Sequence, residues 1–582
     1  MKYIYMPGGL LNIIAFGNSN IILNGNPTKT FFKTVYAKYT NFGMQKFRLD
    51  YTGTRQLNPT TDSTFTFKVP RQGDLLMDSY FVFSLPNIWS TILPPSMVDD
   101  FWKAYQFKWI ENIGTSIIKN IRIMIGTQLI QEYNGEYIRC MAERDFDESK
   151  KHVFNNMTGN TTELHHPEYY GGNRDNSYPN AFFSSNITGQ EPSIRGRKIY
   201  VPLCPWFMNN SKLALPMVCL QYSEVTIEVT LRPIKEIFTI NNVNSESTDI
   251  TNVDNANRIY QTLLNQFYKR IQPNFTIERH SLYRFLQPPP SIQLQQEDYK
   301  DTTVNWDADV HIIANYAFLT PEENKIFALN EQKYLIKDVK TTLYSKISGT
   351  KKIKVESNSL VSNWMWFYRR SDVYERNEWS NYTNWETTFI PYNLIKGLNE
   401  TPYDLNYGNV PCLIGPGRDI VTNGTTYGIR KIPTNHRITP DYSLQNTKYI
   451  LDTFSITIDG KIRETELDEG VFRYIEKYRG THSSNDFGLY HYNFCLDTTN
   501  YIQPSGAMNL HRFKNIEFEM TTLEPTVDPS SETLVLCDDD GGVIGISKET
   551  SIYLYTYDMY LFEEHYNVLR FISGNAGLLF TR

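Results

Sequence analysis

The chain has 582 residues, too many for one hydrophobic core, so two or more domains are expected. Hydrophobic residues make up 40% and charged residues 21%, the balance of a soluble folded chain and not of a disordered one. Lys plus Arg total 57 against 63 Asp plus Glu, and a formal charge of -6 carries no global electrostatic footprint for nucleic acid.

The 40 tyrosines and 33 phenylalanines, set among recurrent Asn, Thr, Gly and Pro, favour a mostly-β protein with long loops. The opening MKYIYMPGGLLNIIAFG has the Lys2 and apolar stretch of a leader, but Pro7, Gly8, Gly9 and Asn12 interrupt it, so secretion is not expected. Met6 offers an alternative start. No run of roughly 18 apolar residues occurs, so no spanning helix is expected. Next comes GNPTKTFFKTVYAKYTNFGMQ, where lysines thread between aromatics. Phe31, Val35, Tyr39 and Phe42 fall near one helical face, so the stretch reads as a short helix that would suit a nucleic-acid arm, a membrane anchor or a piece of architecture.

Strict alternation then recurs: STFTFKVPR (Phe65, Phe67, Val69), IRIMIG (Ile121, Ile123, Ile125) and EVTIEVTL (Val225, Ile227, Val229, Leu231). Later come FSITIDG (Phe454, Ile456, Ile458), NIEFEM (Ile516, Phe518, Met520) and SIYLYTY (Ile552, Leu554). Such period-two runs bounded by turn residues are half-buried antiparallel strands, and many of them argue for β-sandwiches. One helix is announced by Thr320-Pro321-Glu322-Glu323, with Thr as N-cap, Pro at the first position and Glu completing a capping box, continuing through Ile326, Phe327, Leu329 and Tyr334. SNWMWFYRR, with Trp364, Trp366 and Phe367, suits buried core or an intersubunit contact, core being favoured.

An internal echo matters more. IRIMIGTQLIQEYNGEYIRCM (121–141) runs strand, Gly turn, polar return, then an acidic residue before a Tyr-containing helix-like segment, and FSITIDGKIRETELDEGVFRYIE (454–476) repeats that grammar. Each is followed by a Pro-containing loop feeding a strand, LALPMVCLQYSEVTIEV and QPSGAMNLHRFKNIEFEM. Two tandem copies of one β-module are the simplest account. Residues 241–258 and Pro288-Pro289-Pro290 read as loop and linker, and 397–449 as a long exposed insertion.

Chemistry is sparse. The cysteines Cys140, Cys204, Cys219, Cys412, Cys495 and Cys537 are scattered, pointing to reduced thiols and cytosolic folding. No P-loop, GxGxxG, HExxH or GxSxG motif occurs. His165-His166 reads as solvated before it reads as a metal ligand pair, and Asp538-Asp539-Asp540-Gly541-Gly542 as a turn before a calcium loop. Glu563-Glu564-His565 reads as a strand-edge polar cluster before a general base. Several N-x-S/T sequons, Asn156 and Asn381 among them, fit chance in an Asn- and Thr-rich chain. No catalytic residue, metal site or cofactor is expected.

Four segments, taken together, resemble the major capsid proteins of the nucleocytoplasmic large DNA viruses. They are GNPTKTFFKTVYAKYTNF preceded by GGLLNIIAFG; WIENIGTSIIKNIRIMIGTQLIQEYNGEY (109–137); LALPMVCLQYSEVTI (213–227); and the pair QPSGAMNLHRF (503–513) with YNVLRFISGNAGLLF (566–580). The motif positions carrying the resemblance are Gly25, Asn26, Pro27, Phe31, Phe32, Asn41 and Phe42, then Gln503, Pro504, Ser505 and Gly506, then Tyr566, Asn567, Arg570 and Gly574. Departures are the MKYIY extension, Tyr36-Ala37-Lys38-Tyr39 where an Arg-rich pair is frequent, and Ala507-Met508 after QPSG. These departures leave room for a paralogous or minor capsid protein.

The resemblance implies an all-β chain of two tandem eight-stranded antiparallel jelly rolls with short helices and long loop insertions. It places an arm at 1–24, a first roll at 25–240, loop and linker at 241–305, and a second roll at 306–582 with the 397–449 insertion projecting outward. It further implies a structural, non-enzymatic homotrimer whose pseudo-hexagonal capsomers contact neighbouring capsomers and minor capsid proteins above an internal membrane, with no nucleic-acid partner. Such a protein is made in the host cytoplasm and ends in the virion shell. On that reading the 25–45 aromatics pack beneath the first roll while the lysines face solvent or capsid neighbours. A β-sandwich glycan-binding attachment protein and a tandem β-sandwich glycan hydrolase are the competing classes.

Overall fold

The computed structural model describes residues 8–53, 56–94, 103–165, 167, 181, 183, 191–243, 270–357, 359–386, 420–422, 425–427, 447–480, 488–526, 533–537, 543–548 and 552–580. Two units are distinct, Met1–Gly43 and Met44–Arg582. In the first, helix α1 (Gly8–Ile14) and helix α2 (Asn18–Asn24) precede a segment without regular structure. The Gly-Asn-Pro motif stops α2: the Gly25 N–H donates to Ile21 O at 2.8 Å, and Asn26 adopts a left-handed φ of 54°. The helix expected over residues 31–42 does not form, and Phe31, Phe32, Val35, Tyr36, Tyr39 and Phe42 are exposed. Threonine and aromatic residues are mediocre helix formers, and so short a helix needs an apolar face buried against something.

The second unit holds two rolls. The first is built from β1 (Gly43–Leu49), β2 (Ser63–Val69), β3 (Leu75–Ser84), β4 (Ile118–Ile125), β5 (Gln128–Tyr133), β6 (Lys198–Pro202), β7 (Val225–Leu231) and β8 (His311–Phe318). The second uses β9 (Gln332–Ile347), β10 (Thr350–Val355), β11 (Leu360–Arg370), β12 (Leu451–Ile458), β13 (Lys461–Asp468), β14 (Leu489–Asn493), β15 (Ile516–Thr522) and β16 (Tyr557–Ile572). Sheet order in the first roll is β1-β8-β3 with β6 on β3, facing β2-β7-β4-β5; in the second it is β9-β16-β11-β14, facing β10-β15-β12-β13. The two orders match strand for strand. Even the accessory pairings repeat: Leu215–Pro216 adds to β3 as Met508–Asn509 adds to β11. These are two jelly rolls, the duplication that the echo foretold.

Register explains why alternation suffices to build them. Across β2-β7-β4, Phe67 lies opposite Ile227 and Ile227 opposite Ile123, all three buried. Across β10-β15-β12, Ile353 faces Phe518 and Phe518 faces Ile456 in the same way. A slip of one residue would turn every such row outward. Trp364 and Trp366 are core, not surface: Trp366 stacks on Phe454 at 4.6 Å, and Trp364 meets Phe518 edge-on at 4.9 Å.

Several expectations shift. Strand β8 lies beyond residue 306 yet pairs with β1 and β3, so it closes the first roll and the second begins with β9. Strand partners, not nearness in sequence, decide membership. Within the expected linker, Tyr283, Leu294 and Tyr299 form a small cluster of their own, and Arg284 pairs with Glu278. SIYLYTY is not a strand; Leu554 is exposed and β16 starts at Tyr557. Helix α3 (Gly135–Asp145) and helix α4 (Glu148–Thr158) follow β5, and helix α5 (Pro321–Leu329) forms as announced. The Thr320 side chain makes no cap bond, however, and Tyr334 belongs to β9. Most of the 397–449 insertion, residues 244–269, His166 and the Asp538–Gly542 run lie outside the described residues.

Trp366→Ala should lower unfolding free energy by about 3–5 kcal/mol, measured by denaturant titration; a change within 1 kcal/mol would show that this indole is not the keystone of the second core.

Candidate functional site

The seam between the rolls is where polar chemistry concentrates. It starts from α3, which follows β5 directly. Asn134 caps it, its side chain accepting from the Tyr137 N–H at 2.8 Å. Gly135 is required next, because a Cβ there would collide with the Thr115 carbonyl oxygen. The helix then lies against the outer face of β11 and β16.

Two buried ionic clusters clamp it. In one, Arg144 donates to Glu564 Oε1 at 2.8 Å, to Asn363 Oδ1 at 2.9 Å and to both oxygens of Asp145 at 2.7 Å. Glu564 also accepts from the Tyr137 hydroxyl and from Asn363 Nδ2, each at 2.8 Å, with Lys337 Nζ 3.6 Å away. In the other, Glu136 Oε1 accepts from Arg369 at 2.6 Å and from Arg232 at 3.3 Å, while Arg232 lies 4.1 Å over the Trp379 ring. Apolar contacts fill the space between: Tyr137 packs on Phe562 at 5.6 Å, and Phe367 stacks on Tyr382 at 3.8 Å. Residues Ile336, Met365, Phe367 and Phe562 of the second roll join the hydrophobic cluster of the first, so the seam is continuous with a core.

Electrostatics follow. Burial by itself would push the Glu564 carboxyl up, but Arg144 and Lys337, with hydrogen bonds from Arg144 and Asn363, hold it well below its ordinary 4.5. Glu136 is treated alike: burial is overcome by Arg369 and Arg232, and its carboxyl is held low. His491, fully buried beside the first cluster, is kept neutral by burial, then by Lys477 and Arg144. Glu378 moves the other way. Only partly covered from solvent but densely surrounded, it is pushed up by desolvation and then by the like charge of Glu111, despite Arg376, Arg270 and Lys108.

The sequence-predicted positions are dispersed. Gly25 to Phe42 lie in the first unit. Gln503 and Pro504 are exposed in the loop before Met508, where Ser505 Oγ donates to Asp497 O at 3.0 Å and Gly506 has a φ of +139° beside the Phe494 carbonyl. Asn567 binds the chain's last segment, donating to Phe580 O at 3.0 Å, and Arg570 pairs with Glu331. Gly574, φ +79°, accepts from the Tyr222 N–H at 3.0 Å, a further contact between rolls. Glu563-Glu564-His565 is not at a strand edge: β16 runs between β9 and β11. The clamp residues Glu136, Arg144, Lys337, Asn363 and Arg369 escaped the sequence reading. The available signal was a charged residue inside an apolar strand, as in LFEEHY and WMWFYRR. Among the described residues no group of three or more His, Cys, Asp or Glu side chains could hold a metal ion, and no helix is long and apolar enough to cross a membrane.

This two-roll architecture has close counterparts. The family described as "Major capsid protein N-terminus" matches residues 30–268, and "Large eukaryotic DNA virus major capsid protein" matches 323–577. The chain belongs to this capsid family. The major capsid protein of Phaeocystis pouchetii virus is 21% identical over 99% of this chain and 100% of that protein. Probable capsid protein 4 of Acanthamoeba polyphaga mimivirus is 24% identical, covering 88% and 93%. Among solved structures, PBCV-1 VP54 shares the fold with a TM-score of 0.56 at 18% identity, covering 95% of this chain and 100% of that one. In a family whose sequences diverge this far, the duplicated roll is what persists.

Two seam variants report on it. Arg144→Ala leaves Glu564 buried without its main partner and should cost about 3–5 kcal/mol, read by thermal unfolding at neutral pH. Because the Glu564 carboxyl is depressed, its contribution is complete above its ordinary 4.5 and lost as pH falls below it, so the gap to wild type should narrow in acid. Glu378→Gln carries the opposite sign: a raised carboxyl stabilises only while protonated, so the substitution should raise thermal stability more at about pH 8 than at about pH 5. Equal shifts at both pH values would remove Glu378 from the seam's titration.

Proposed function

We propose that three copies of this chain assemble into a pseudo-hexagonal capsomer, and that these capsomers tile the shell of a large double-stranded DNA virus as a structural, non-enzymatic component. The observation that carries the reading is the duplication. Two rolls with identical strand order in one chain present six similar rolls when three chains close, the outline that packs a facet. The clamped seam supports it, since a tile needs its two rolls held as one piece. Neighbouring capsomers and minor capsid proteins are the partners on this view, and a membrane beneath the shell is the surface nearest the arm with Lys29, Lys33 and Lys38 among its exposed aromatics.

A second reading is a paralogous capsid protein accompanying a main one; the likeness to a probable capsid protein 4 along most of both chains favours it. Both readings share the capsomer.

Light scattering on the purified full chain should give three times the 67.9 kDa chain mass, with a hexagonal outline by electron microscopy. A well-folded monomer at micromolar concentration would overturn the capsomer.

A further inference from the structure

The first unit, Met1–Gly43, differs in kind from the rest of the chain. It carries none of the 63 acidic residues, the first of which is Asp50. Its charged side chains are Lys2, Lys29, Lys33 and Lys38, all cationic, in a chain whose formal charge is -6. A segment of one sign within a chain of the other marks where an anionic partner is met.

The apolar residues of this unit are equally one-sided. In α1, Leu10, Ile13 and Ile14 stand at i, i+3 and i+4, which places them on one helical face, and all three are exposed. In α2 no residue is buried, and Ile22 is 88% exposed. Further along, Phe31, Phe32, Val35, Tyr36 and Tyr39 are each 79% exposed or more, with Lys29, Lys33 and Lys38 interleaved and exposed as well. Soluble proteins rarely leave so many large apolar side chains in water along one segment unless something binds there. Helices of seven residues, moreover, are too short to hold in water without a surface that buries a face.

The mixture of side chains selects among anionic partners. Nucleic acid would pair with the lysines and stack on the rings, but it offers nothing to the aliphatic residues of α1 and α2. An acidic protein surface would satisfy the lysines and leave the same residues wet. The interface of a bilayer takes all three kinds. Aliphatic side chains sink to the acyl boundary, Phe and Tyr rings sit at headgroup depth, and lysine stems lie along the apolar layer while their ammonium groups reach anionic headgroups. Among the described residues no helix is long and apolar enough to cross, so such a segment would lie on the membrane and not span it.

We infer that the first unit is a membrane-surface anchor for a bilayer that contains anionic lipid, with α1 and α2 supplying the aliphatic contacts and residues 29–39 the rings and cations. The inference deepens the capsomer reading: it rests on that reading for the presence of a membrane, and on the first unit alone for the binding.

The test floats the full chain with vesicles of phosphatidylcholine alone, or of about three parts phosphatidylcholine to one of phosphatidylserine. The chain should bind the anionic vesicles, bind the neutral ones about tenfold more weakly, and bind less as salt is added. Lys29→Gln/Lys33→Gln/Lys38→Gln should lose the preference for anionic lipid. Leu10→Ser/Ile13→Ser/Phe31→Ser/Phe32→Ser should lose binding to both kinds of vesicle. Both variants should unfold like wild type, because every altered position is exposed. Wild type that does not float, variants that float as it does, or tighter binding to a double-stranded DNA probe than to the vesicles would each overturn the anchor. Light scattering on the same samples keeps the two readings apart. Trimers that ignore the vesicles would overturn this inference and leave the capsomer standing, while a monomer that floats would overturn the capsomer and leave the anchor.

Discussion

Strand β16 is buried on both faces, and the rest of the second unit depends on that constraint. One face carries Met559 and Leu561 into the second roll's core, and the other presents Phe562 and Glu564 to the first roll. A sheet with one wet face tolerates any polar residue there; a sheet dry on both must satisfy each charge it carries. Glu564 is therefore surrounded by Arg144, Lys337, Asn363 and Tyr137 from two rolls, and once those partners are in place neither roll can shift without leaving a charge unpaired. The ion pairs do little to favour burial as such, which the apolar contacts of Phe562 and Phe367 accomplish. They make the geometry of the seam specific.

That division of labour fits a tile. Hydrophobic burial is non-directional and would accept a range of angles between two β-sandwiches. Bidentate guanidinium pairing accepts few. Arg144 is forked in this way on its helix neighbour Asp145, and from that fixed position it donates across the seam to Glu564 and Asn363. The seam titrates in both directions, since Glu564 and Glu136 favour their charged forms while Glu378 resists charging. Burial and the neighbouring Glu111 oppose charge on Glu378, while the cations around Glu564 and Glu136 favour it there.

Much of the fold was legible in advance. Alternation in STFTFKVPR, IRIMIG, EVTIEVTL, FSITIDG and NIEFEM located five core strands, because a period of two is a local property of the chain. The echo of 121–141 in 454–476 disclosed the duplication for the same reason. Local pattern misled where burial comes from elsewhere. The aromatics of 31–42 imitate a helical face but lie in a unit that covers none of them, and Ile552 and Leu554 alternate outside any extended strand. Glu563-Glu564-His565 looked like an edge because three polar residues together usually mean water, whereas here they sit mid-sheet.

By itself, then, the sequence determined five of the core strands, the repeat and the family, since each is written in residues within reach of one another along the chain. Tertiary structure alone decided that β8 completes the first roll, that Arg144 meets Glu564 across 420 residues, and that the second roll covers α3. The physical reason is common to all three. They are pairings between distant segments, and a residue's partner, unlike its period, leaves no mark in its neighbours.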